Sequence, residues 1–438
     1  MLGNFLHKGE WLELYGAGAS GLFLGYWLKQ AGVDFCLYER GALAGGLLQT
    51  VLTNYGISES AANGIVGSAP VHAMLSGLGL PFLRPFSATR KRYIFRNGRH
   101  YRFPLGMRET GRALLGLCLP HRLPVDDLSD LSVGEFARAY LGKGFAHQLL
   151  EPALQGIYAA GLDELSFAAV FPSLSELLEQ SRSLPLAWLK TCFWDKPEPN
   201  VDKSGLPRKY VGGTLGFAGG MGSLMGALAR HLDGAIRYQT DAASVWRADV
   251  PSVICLPAYQ AARLFDGHVL GKCLSDIRYL PMISVTLFVP QKNLPLLLPG
   301  FGCVVPRKEG LATLGVLFNH HIFEGRAVSP DMASLTVILR GDGLANRELF
   351  SLSDEHLLAH IYGELKTLFG MNADPLHTLI HRWERGLPLY EVALQKKWTM
   401  MHNLLLKDFP HTRLLGNYTG QISLRGICNA SYEAVMRR

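Results

Sequence analysis

The chain has 438 residues, of which 48% are apolar and 18% are charged, and its formal net charge at pH 7 is +7. This composition is that of a globular protein with a large core, and it excludes intrinsic disorder, collagen-like repeats and low-complexity sequence. The seven cysteines form no Cys-x-x-Cys pair, so neither a disulfide framework nor a zinc site is expected, and a reducing cytosol is the natural compartment.

The first predicted elements are a strand, a glycine-rich turn and a helix. Residues 11–39 read WLELYGAGASGLFLGYWLKQAGVDFCLYE, in which an apolar strand leads into the turn at residues 16–21 and then into an apolar helix. A second strand, at residues 33–38, ends at Glu39, whose carboxylate is placed to accept hydrogen bonds from an adenosine ribose. This order of elements predicts a Rossmann-type dinucleotide-binding domain.

The residues of the turn have separate roles in such a domain. Gly16 permits the tight turn, Gly18 lets the backbone approach a pyrophosphate, and Gly21 lets the helix pack closely on the strand. The N–H groups at the helix start, at Ala19 and Ser20, are placed to bind the phosphates. A chance glycine-rich turn is the alternative, and the flanking strand, helix and acid argue against it.

A Gly-Gly turn, Gly45-Gly46, follows the ribose acid and precedes Glu59. This arrangement resembles the second flavin motif of the amine oxidase-like flavoproteins. The resemblance implies that the cofactor is FAD rather than NAD, and that both glycines contact it. Most members carry Arg two residues before the Gly-Gly, where this chain has Leu43; Arg40 is a nearby cation that can compensate.

A basic hairpin is predicted at residues 92–103, RYIFRNGRHYRF, with Asn97-Gly98 as a type I′ turn. No acidic residue occurs between Glu59 and Glu109. One face of the hairpin combines arginines with apolar side chains: Arg92, Ile94, Arg96, Arg99, Tyr101 and Phe103. Such a face suits a flat apolar ligand with carboxylate edges, with Arg92 as the candidate anchor. A solvated basic hairpin is the alternative; nucleic acid is not expected, because basic tails and single-strand-binding modules are missing.

Residues 106–204 predict a helical insertion. Ser132 and Glu135 have the spacing of a capping box, and Ser166 lies near another helix start. An apolar rim flanked by arginines is formed by Leu114, Leu115, Leu117 and Leu119. We expect neither a signal peptide nor a transmembrane helix and therefore a cytoplasmic protein, with a peripheral contact to the inner face of a membrane left open.

Residues 151–159, EPALQGIYA, followed by residues 163–174 and Glu179, closely resemble the oxygen-dependent protoporphyrinogen oxidase family. The resemblance covers almost the whole chain. It continues through residues 217–224, 255–259, 301–306, 383–390 and the Gly-Asn pair near the C-terminus.

The resemblance implies further site residues. In the GGM turn these are Gly220 and Met221, and Phe301 and Gly302 match a loop near the substrate. The last flavin contacts are carried over to Gly416, Asn417, Ile422, Ser423 and Leu424. Ser423 is also the predicted N-cap of a helix at residues 423–436, whose positive end would stabilise negative charge on a reduced flavin. Arg425 departs from the family pattern and adds a charge near that edge.

A second sheet is predicted after residue 275. Its strands are residues 282–289, 302–305, 312–317 and 335–339. Before it, residues 237–256 leave room for one compact hairpin, and residues 254–257 return as a strand to the first sheet. His320 and His321 are read as strand neighbours that point to opposite faces, so no metal site is expected.

The predicted fold class is α/β, with a Rossmann-type FAD-binding domain, a second mixed β-sheet substrate domain and an α-helical insertion. The FAD-binding domain is assigned residues 1–80, 205–265 and 396–438. The substrate domain is assigned residues 81–105 and 266–395, and the helical domain residues 106–204.

The function that the resemblance implies is FAD-dependent oxidation of a porphyrinogen, protoporphyrinogen IX or coproporphyrinogen III, to the porphyrin in haem biosynthesis. Each of three two-electron steps would pass a hydride to flavin N5, with dioxygen as the acceptor and no side-chain acid or base. Three alternatives stay open: another oxidase or desaturase of the superfamily, a non-redox flavin enzyme such as a sugar-nucleotide mutase, and a non-catalytic relative that binds FAD or porphyrin. The sequence does not define the oligomeric state.

Overall fold

The computed structural model describes residues 11–103, 127–146, 150–181, 212–340 and 344–436. A five-stranded sheet of parallel strands has the order β16-β10-β1-β2-β9. Its strands are β1 (Leu12–Tyr15), β2 (Phe35–Tyr38), β9 (Ile236–Arg237), β10 (Ser252–Ile254) and β16 (Thr412–Leu414). They come from three separate parts of the chain, as a Rossmann-type sheet built from distant segments requires, while the exact domain limits stay a prediction.

Helix α1 (Ala19–Gln30) is buried along most of its length against this sheet. Its residues 20–28 are all buried, and the helix is apolar on every side because the sheet and the neighbouring helices cover it. Those neighbours are α2 (Ala69–Gly77), α8 (Met221–His231) and α16 (Leu424–Met436).

A seven-stranded mixed sheet has the order β15-β11-β14-β13-β12-β6-β7, and only its β12–β6 pair is parallel. Its strands are β6 (Arg92–Arg96), β7 (Arg99–Phe103), β11 (Tyr279–Pro290), β12 (Gly302–Val304), β13 (Thr313–Phe318), β14 (Met332–Arg340) and β15 (His377–Pro388). The four strands predicted after residue 275 are all present. Helix α14 (Asp354–Phe369) packs on one face of the sheet and closes a core there.

The two faces of this large sheet differ. Tyr93, Cys303 and Val337 belong to the core beneath α14. Because side chains alternate along a strand, Arg92 and Ile94 lie on the opposite face, which we call the second face. The second face is therefore the only one that can offer the predicted arginine-lined surface to a ligand.

The predicted hairpin is confirmed in its register. Arg92 pairs with Phe103, Ile94 with Tyr101, and the two turn residues have φ angles of +51° at Asn97 and +73° at Gly98. A type I′ turn needs positive φ angles at both central positions.

Helices and their short connections form the described part of residues 127–181. The α-helices are α3 (Val133–Tyr140), α4 (Gly142–Phe145), α5 (Glu151–Tyr158), α6 (Phe167–Val170) and α7 (Pro172–Ser181). The predicted capping box of Ser132 and Glu135 is present, and a helix starts near Ser166 as predicted, with Ser166 as its N-cap. The leucine rim at residues 114–119 lies outside the described residues. Within the described residues, no helix is both long enough and apolar enough to span a bilayer.

The remaining elements are short connections and surface helices. Two-stranded sheets pair β3 (Thr50–Thr53) with β4 (Gly56–Glu59), and β5 (Ile65–Val66) with β8 (Thr214–Leu215). The other helices are α9 (Ala242–Val245), α10 (Ala258–Ala261), α11 (Val269–Ser275), α12 (Asn319–Ile322), α13 (Leu344–Ser351) and α15 (Leu394–Asp408). Single 3₁₀ turns occur at Ser87–Arg90, Leu128–Asp130, Ala262–Phe265, Gln291–Asn293 and Arg307–Glu309.

Two local predictions are wrong. Residues 237–256 hold no hairpin: Asp241 caps the one-turn helix α9, and the chain then returns directly as β10, which ends at Ile254. His320 and His321 are not strand neighbours, because β13 ends at Phe318 and both lie in α12 with ring centroids 4.0 Å apart. Among the described residues, no three His, Cys, Asp or Glu side chains come together as a metal site.

Candidate functional site

Three predicted site segments meet at the carboxyl edge of the five-stranded sheet. Gly16 follows β1, Glu39 follows β2, and Gly416 lies two residues beyond the end of β16. The carboxyl ends of parallel strands lie at one edge of a sheet, which is where nucleotides bind in folds of this type.

The glycine-rich turn has the geometry that a pyrophosphate needs. Gly16 has a φ of +102°, which favours glycine, and a Cβ on Gly21 would lie 2.0 Å from the carbonyl oxygen of Gly16. Gly18 is different, because a Cβ built there would meet no described atom within 4 Å. The backbone at Gly18 therefore borders open space that a ligand can enter.

The N-terminus of α1 is available to an anion. Gly18 is its N-cap, and among the described residues no side chain caps it and no acidic residue occupies its first turn. Its first N–H groups, at Ala19 and Ser20, therefore combine with the positive end of the helix dipole.

Glu39 fixes the loops around this edge. Its Oε2 accepts a hydrogen bond from the Ala17 N–H at 2.8 Å, and its Oε1 accepts one from the Gly41 N–H at 2.7 Å. A carboxylate has about four acceptor positions, so both oxygens keep capacity for ribose hydroxyls. Arg40 beside it is exposed.

The Gly-Gly turn lies directly against the first motif. The Gly45 N–H donates to the Ala17 carbonyl at 2.8 Å, and a Cβ on Gly46 would lie 3.2 Å from the Gly18 Cα. The two motifs predicted from separate stretches thus form one surface. Leu43, where the family usually has Arg, is 82% exposed and contributes no charge to it.

The first backbone N–H groups after the GGM turn's glycines are bound by protein side chains. Gly220 has a φ of +74°, the Met221 N–H donates to Glu59 Oε1 at 2.9 Å, and the Gly222 N–H donates to Thr50 Oγ1 at 2.8 Å. These first N–H groups of α8 already have protein acceptors. Any cofactor contact from Gly220 or Met221 has to use other atoms.

The C-terminal segment places its predicted residues around the same edge. Gly416 is buried, and the Asn417 carbonyl accepts a hydrogen bond from the Tyr390 hydroxyl at 2.7 Å. Ser423 Oγ accepts from the Gly426 N–H at 3.1 Å, which confirms the predicted helix cap. Arg425 is exposed in the first turn of α16.

Ile422 and Leu424 flank that cap and are half-buried. Both pack at the edge of the apolar cores, Ile422 against the core beneath the five-stranded sheet and Leu424 against the core around α1. Their contact with the cofactor stays a prediction.

The predicted substrate residues come together on the large sheet. The Arg92 guanidinium lies 4.9 Å from the centre of the Phe301 ring, and the Phe301 N–H donates to the Lys91 carbonyl at 2.8 Å. No acidic side chain among the described residues pairs with Arg92. Gly302 is buried, and its Cβ would lie 2.4 Å from the Val316 carbonyl oxygen, so it is needed for strand packing.

The sequence did not single out the most buried charges near this site. Arg326 Nη1 donates to Glu59 Oε1 at 2.8 Å, and the two side chains are 2% and 1% exposed. Trp383 Nε1 also donates to the Ser60 carbonyl at 3.0 Å. Arg326 stands in a connection with no periodic pattern, so no sequence signal marked it.

The donor set fits a dinucleotide. An uncapped helix start, open space at Gly18 and a carboxylate beside the loops together offer partners for a pyrophosphate and a ribose at one sheet edge.

Comparison with known proteins agrees with this geometry. A family model described as flavin containing amine oxidoreductase matches residues 19–422. Protoporphyrinogen oxidase 2 of Arabidopsis thaliana is 27% identical over 95% of this chain and 91% of its own length. Coproporphyrinogen III oxidase of Bacillus subtilis (strain 168) is 22% identical over 92% of each chain. A crystal structure described as "Putative protoporphyrinogen oxidase from Exiguobacterium sp. 255-15" shares the fold, with a TM-score of 0.75, 21% identity and 99% coverage of both chains.

Proposed function

The chain belongs to the family of flavin-containing amine oxidoreductases, and from that premise we propose that it oxidises a porphyrinogen to the porphyrin in haem biosynthesis. It is an FAD-dependent oxidoreductase. Protoporphyrinogen IX and coproporphyrinogen III are both candidate substrates, because the similar proteins include oxidases named for each.

Bound FAD supplies a two-electron acceptor that can take a hydride from a ring carbon of the substrate. Conversion of a porphyrinogen to the porphyrin removes six hydrogen atoms, so three two-electron oxidations are needed. With dioxygen as the final acceptor, three O₂ become three H₂O₂ for each porphyrin formed. We assign no side chain as catalytic acid or base.

The chain's own residues bind and orient in this proposal. The start of α1 and Gly18 hold the pyrophosphate, while Glu39 holds the ribose. Arg92 binds a propionate of the substrate as a planar fork, and Phe301 lies beside it as an apolar surface for the macrocycle.

The position of Arg92 carries the proposal. A guanidinium without an acidic partner among the described residues lies against an aromatic ring on the second face of the large sheet. An amine or a polyene needs no such cation, whereas every porphyrinogen substrate carries carboxylates.

The test is aerobic incubation of the purified holoprotein with each porphyrinogen separately, following porphyrin fluorescence and flavin absorbance. The proposal expects enzyme-dependent porphyrin formation from at least one of them, with hydrogen peroxide as co-product. Anaerobic mixing should then bleach the flavin. A protein that binds FAD but leaves both porphyrinogens unchanged would instead be another superfamily oxidase, a non-redox flavin enzyme or a non-catalytic relative.

A further inference from the structure

A buried ion pair joins the β3–β4 hairpin to a connection of the large sheet. Glu59 ends β4, and Arg326 lies in the connection between α12 and β14 of the large sheet, 267 residues away. Arg326 Nη1 donates to Glu59 Oε1 at 2.8 Å, and both side chains are almost fully buried. Burying two charges is costly unless their remaining donors and acceptors are satisfied, so their other contacts are informative.

The Glu59 carboxylate contacts one predicted cofactor element, the turn at Gly220 and Met221, and the β3–β4 hairpin beside it. Its Oε2 accepts from Thr50 Oγ1 at 2.6 Å, and its Oε1 also accepts from the Met221 N–H at 2.9 Å. It therefore ties the β3–β4 hairpin to the start of α8. Gly220 cannot carry a side chain, because a Cβ there would lie 2.4 Å from Thr50.

Arg326 extends the same network toward the loop after β4. Its Nη2 donates to the Asn63 carbonyl at 3.4 Å, and its guanidinium lies 5.4 Å from the centre of the Phe323 ring. Gly216 leaves the space that this ring occupies, since a Cβ there would lie 2.8 Å from it. The backbone adds a contact, from the Ile57 N–H to the Arg326 carbonyl at 3.4 Å.

The first residue of the loop at residues 60–63 is held as well. Trp383 of β15 donates to the Ser60 carbonyl at 3.0 Å, and Ser60 Oγ donates to the Leu47 carbonyl at 2.6 Å. Leu47 directly follows the Gly45-Gly46 turn. The loop is thus fixed at one end by Trp383 and at the other by Arg326, both of which come from the large sheet or its connections.

We propose that Arg326 is a positioning residue: paired with Glu59, it sets the distance between the FAD-binding elements and the second face of the large sheet. The proposal rests on FAD as the cofactor and not on the identity of the substrate. Transfer of a hydride requires donor and acceptor atoms within near-contact distance, so a small shift between these parts slows the reaction. Besides each other, the two side chains contact Thr50, Met221, Asn63 and Phe323. An ion pair with these four partners holds that distance more tightly than apolar packing.

The test separates positioning from stability with paired variants of the holoprotein. Removing one charge, as in Glu59→Gln or Arg326→Met, leaves a buried partner uncompensated and should lower the thermal midpoint. The double variant Glu59→Gln/Arg326→Met removes both charges and should recover most of that midpoint. The visible circular dichroism of the bound flavin, which reports its surroundings, should still fall by about half, and kcat by roughly tenfold with KM unchanged.

A double variant with recovered stability, unchanged flavin dichroism and unchanged kcat would overturn the proposal and leave the pair a purely structural one. If the double variant does not fold, Arg326→Lys tests the positioning role instead. It keeps the charge but cannot reach Glu59 and the Asn63 carbonyl together, so it should show the same loss of dichroism, and parental dichroism would overturn the proposal.

The matched control is Asp354→Asn, which breaks the partly exposed ion pair between Arg382 of β15 and Asp354 at the start of α14. It should leave the thermal midpoint and the flavin dichroism unchanged. Because the dichroism needs no porphyrinogen, the inference can fail while the proposed function stands, and the reverse also holds.

Discussion

A Cβ placed on Gly21 would lie 2.0 Å from the carbonyl oxygen of Gly16, so the helix and the turn before it touch through bare backbone. Gly18, between them, has a φ of −73° that any residue can adopt, and a Cβ there would meet no described atom within 4 Å. The fold therefore requires glycine at 16 and 21, whereas only a ligand requires it at 18.

The first prediction uses this difference. Gly18→Ala should leave the thermal midpoint of the apoprotein unchanged, because the methyl group meets no atom of the described residues within 4 Å. It should weaken FAD binding by about 1–3 kcal/mol, roughly 5- to 150-fold in Kd, because the methyl occupies the path of the pyrophosphate. Kd is measured by quenching of flavin fluorescence.

Gly21→Ala is the matched comparison and should behave in the opposite way. Its methyl clashes with backbone, which cannot move aside, so the apoprotein itself should lose stability. Parental affinity for FAD in Gly18→Ala would show that the pyrophosphate does not pass over this turn.

The second prediction concerns Glu39. Glu39→Ala removes a charge-assisted hydrogen bond to the ribose, worth about 1.5–3 kcal/mol, and should raise the Kd for FAD roughly 10- to 150-fold. Glu39→Gln keeps one acceptor oxygen for the Ala17 or Gly41 N–H and should bind FAD with intermediate affinity. Titration calorimetry with FAD measures the affinity of both variants. Equal affinity in the parent and in Glu39→Ala would show that the carboxylate does not bind FAD.

Local rules allowed the sequence to predict part of this structure. Asn97-Gly98 forms the predicted turn because both residues tolerate positive φ angles. Ser132 caps a helix because it exchanges hydrogen bonds with Glu135, one turn later. The glycine-rich turn follows the same logic, since its geometry depends on neighbours within about six residues. Interactions of this range are fully contained in a short stretch of sequence.

The remaining features depend on the tertiary structure. Glu59 and Arg326 meet only when two sheets have formed, and nothing near either residue marks its partner. The hairpin predicted at residues 237–256 fails because Asp241 caps a helix turn, which competes with strand pairing. The prediction that His320 lies in a strand is wrong because hydrophobic periodicity does not show where β13 ends.

The third prediction is a pH dependence of stability from His320. Burial and the neighbouring His321 lower the pKa of His320 to about 4. Its Nδ1 lies 3.2 Å from the Ser334 backbone nitrogen and 3.1 Å from the Ser334 carbonyl oxygen, and burial favours the neutral ring in the folded protein. In the unfolded chain the histidine takes up a proton at about pH 6.5. The contribution of neutral His320 to the free energy of unfolding is therefore complete above that pH and is lost as pH falls toward 4.

The loss amounts to at most roughly 3 kcal/mol in the free energy of unfolding. Urea denaturation at pH 7 and pH 5 measures the part that is lost over this interval, roughly 2 kcal/mol. His320→Gln keeps an acceptor but does not titrate, so the difference between the two pH values should shrink in this variant. His321 also has a lowered pKa and leaves a residual slope in both proteins. An unchanged difference would assign the acid sensitivity to other groups.

The last prediction concerns Arg92. Arg92→Ala removes one charge-assisted contact to a propionate and should cost about 1.5–3 kcal/mol in binding, which raises KM roughly 10- to 150-fold. Arg92→Lys should recover only part of this, because an ammonium group lacks the planar fork that matches a carboxylate. Steady-state kinetics by porphyrin fluorescence measure both.

Arg102→Ala is the control, since this exposed arginine pairs with Tyr93 across the same hairpin and lies on the opposite face from Arg92. It lowers the net charge equally, so an effect of overall charge would appear in both variants, whereas a specific anchor is lost only in Arg92→Ala. If Arg92→Ala keeps the parental KM and kcat, Arg92 is a solvated strand residue. The porphyrinogen proposal then loses its electrostatic support, while FAD as the cofactor is unaffected.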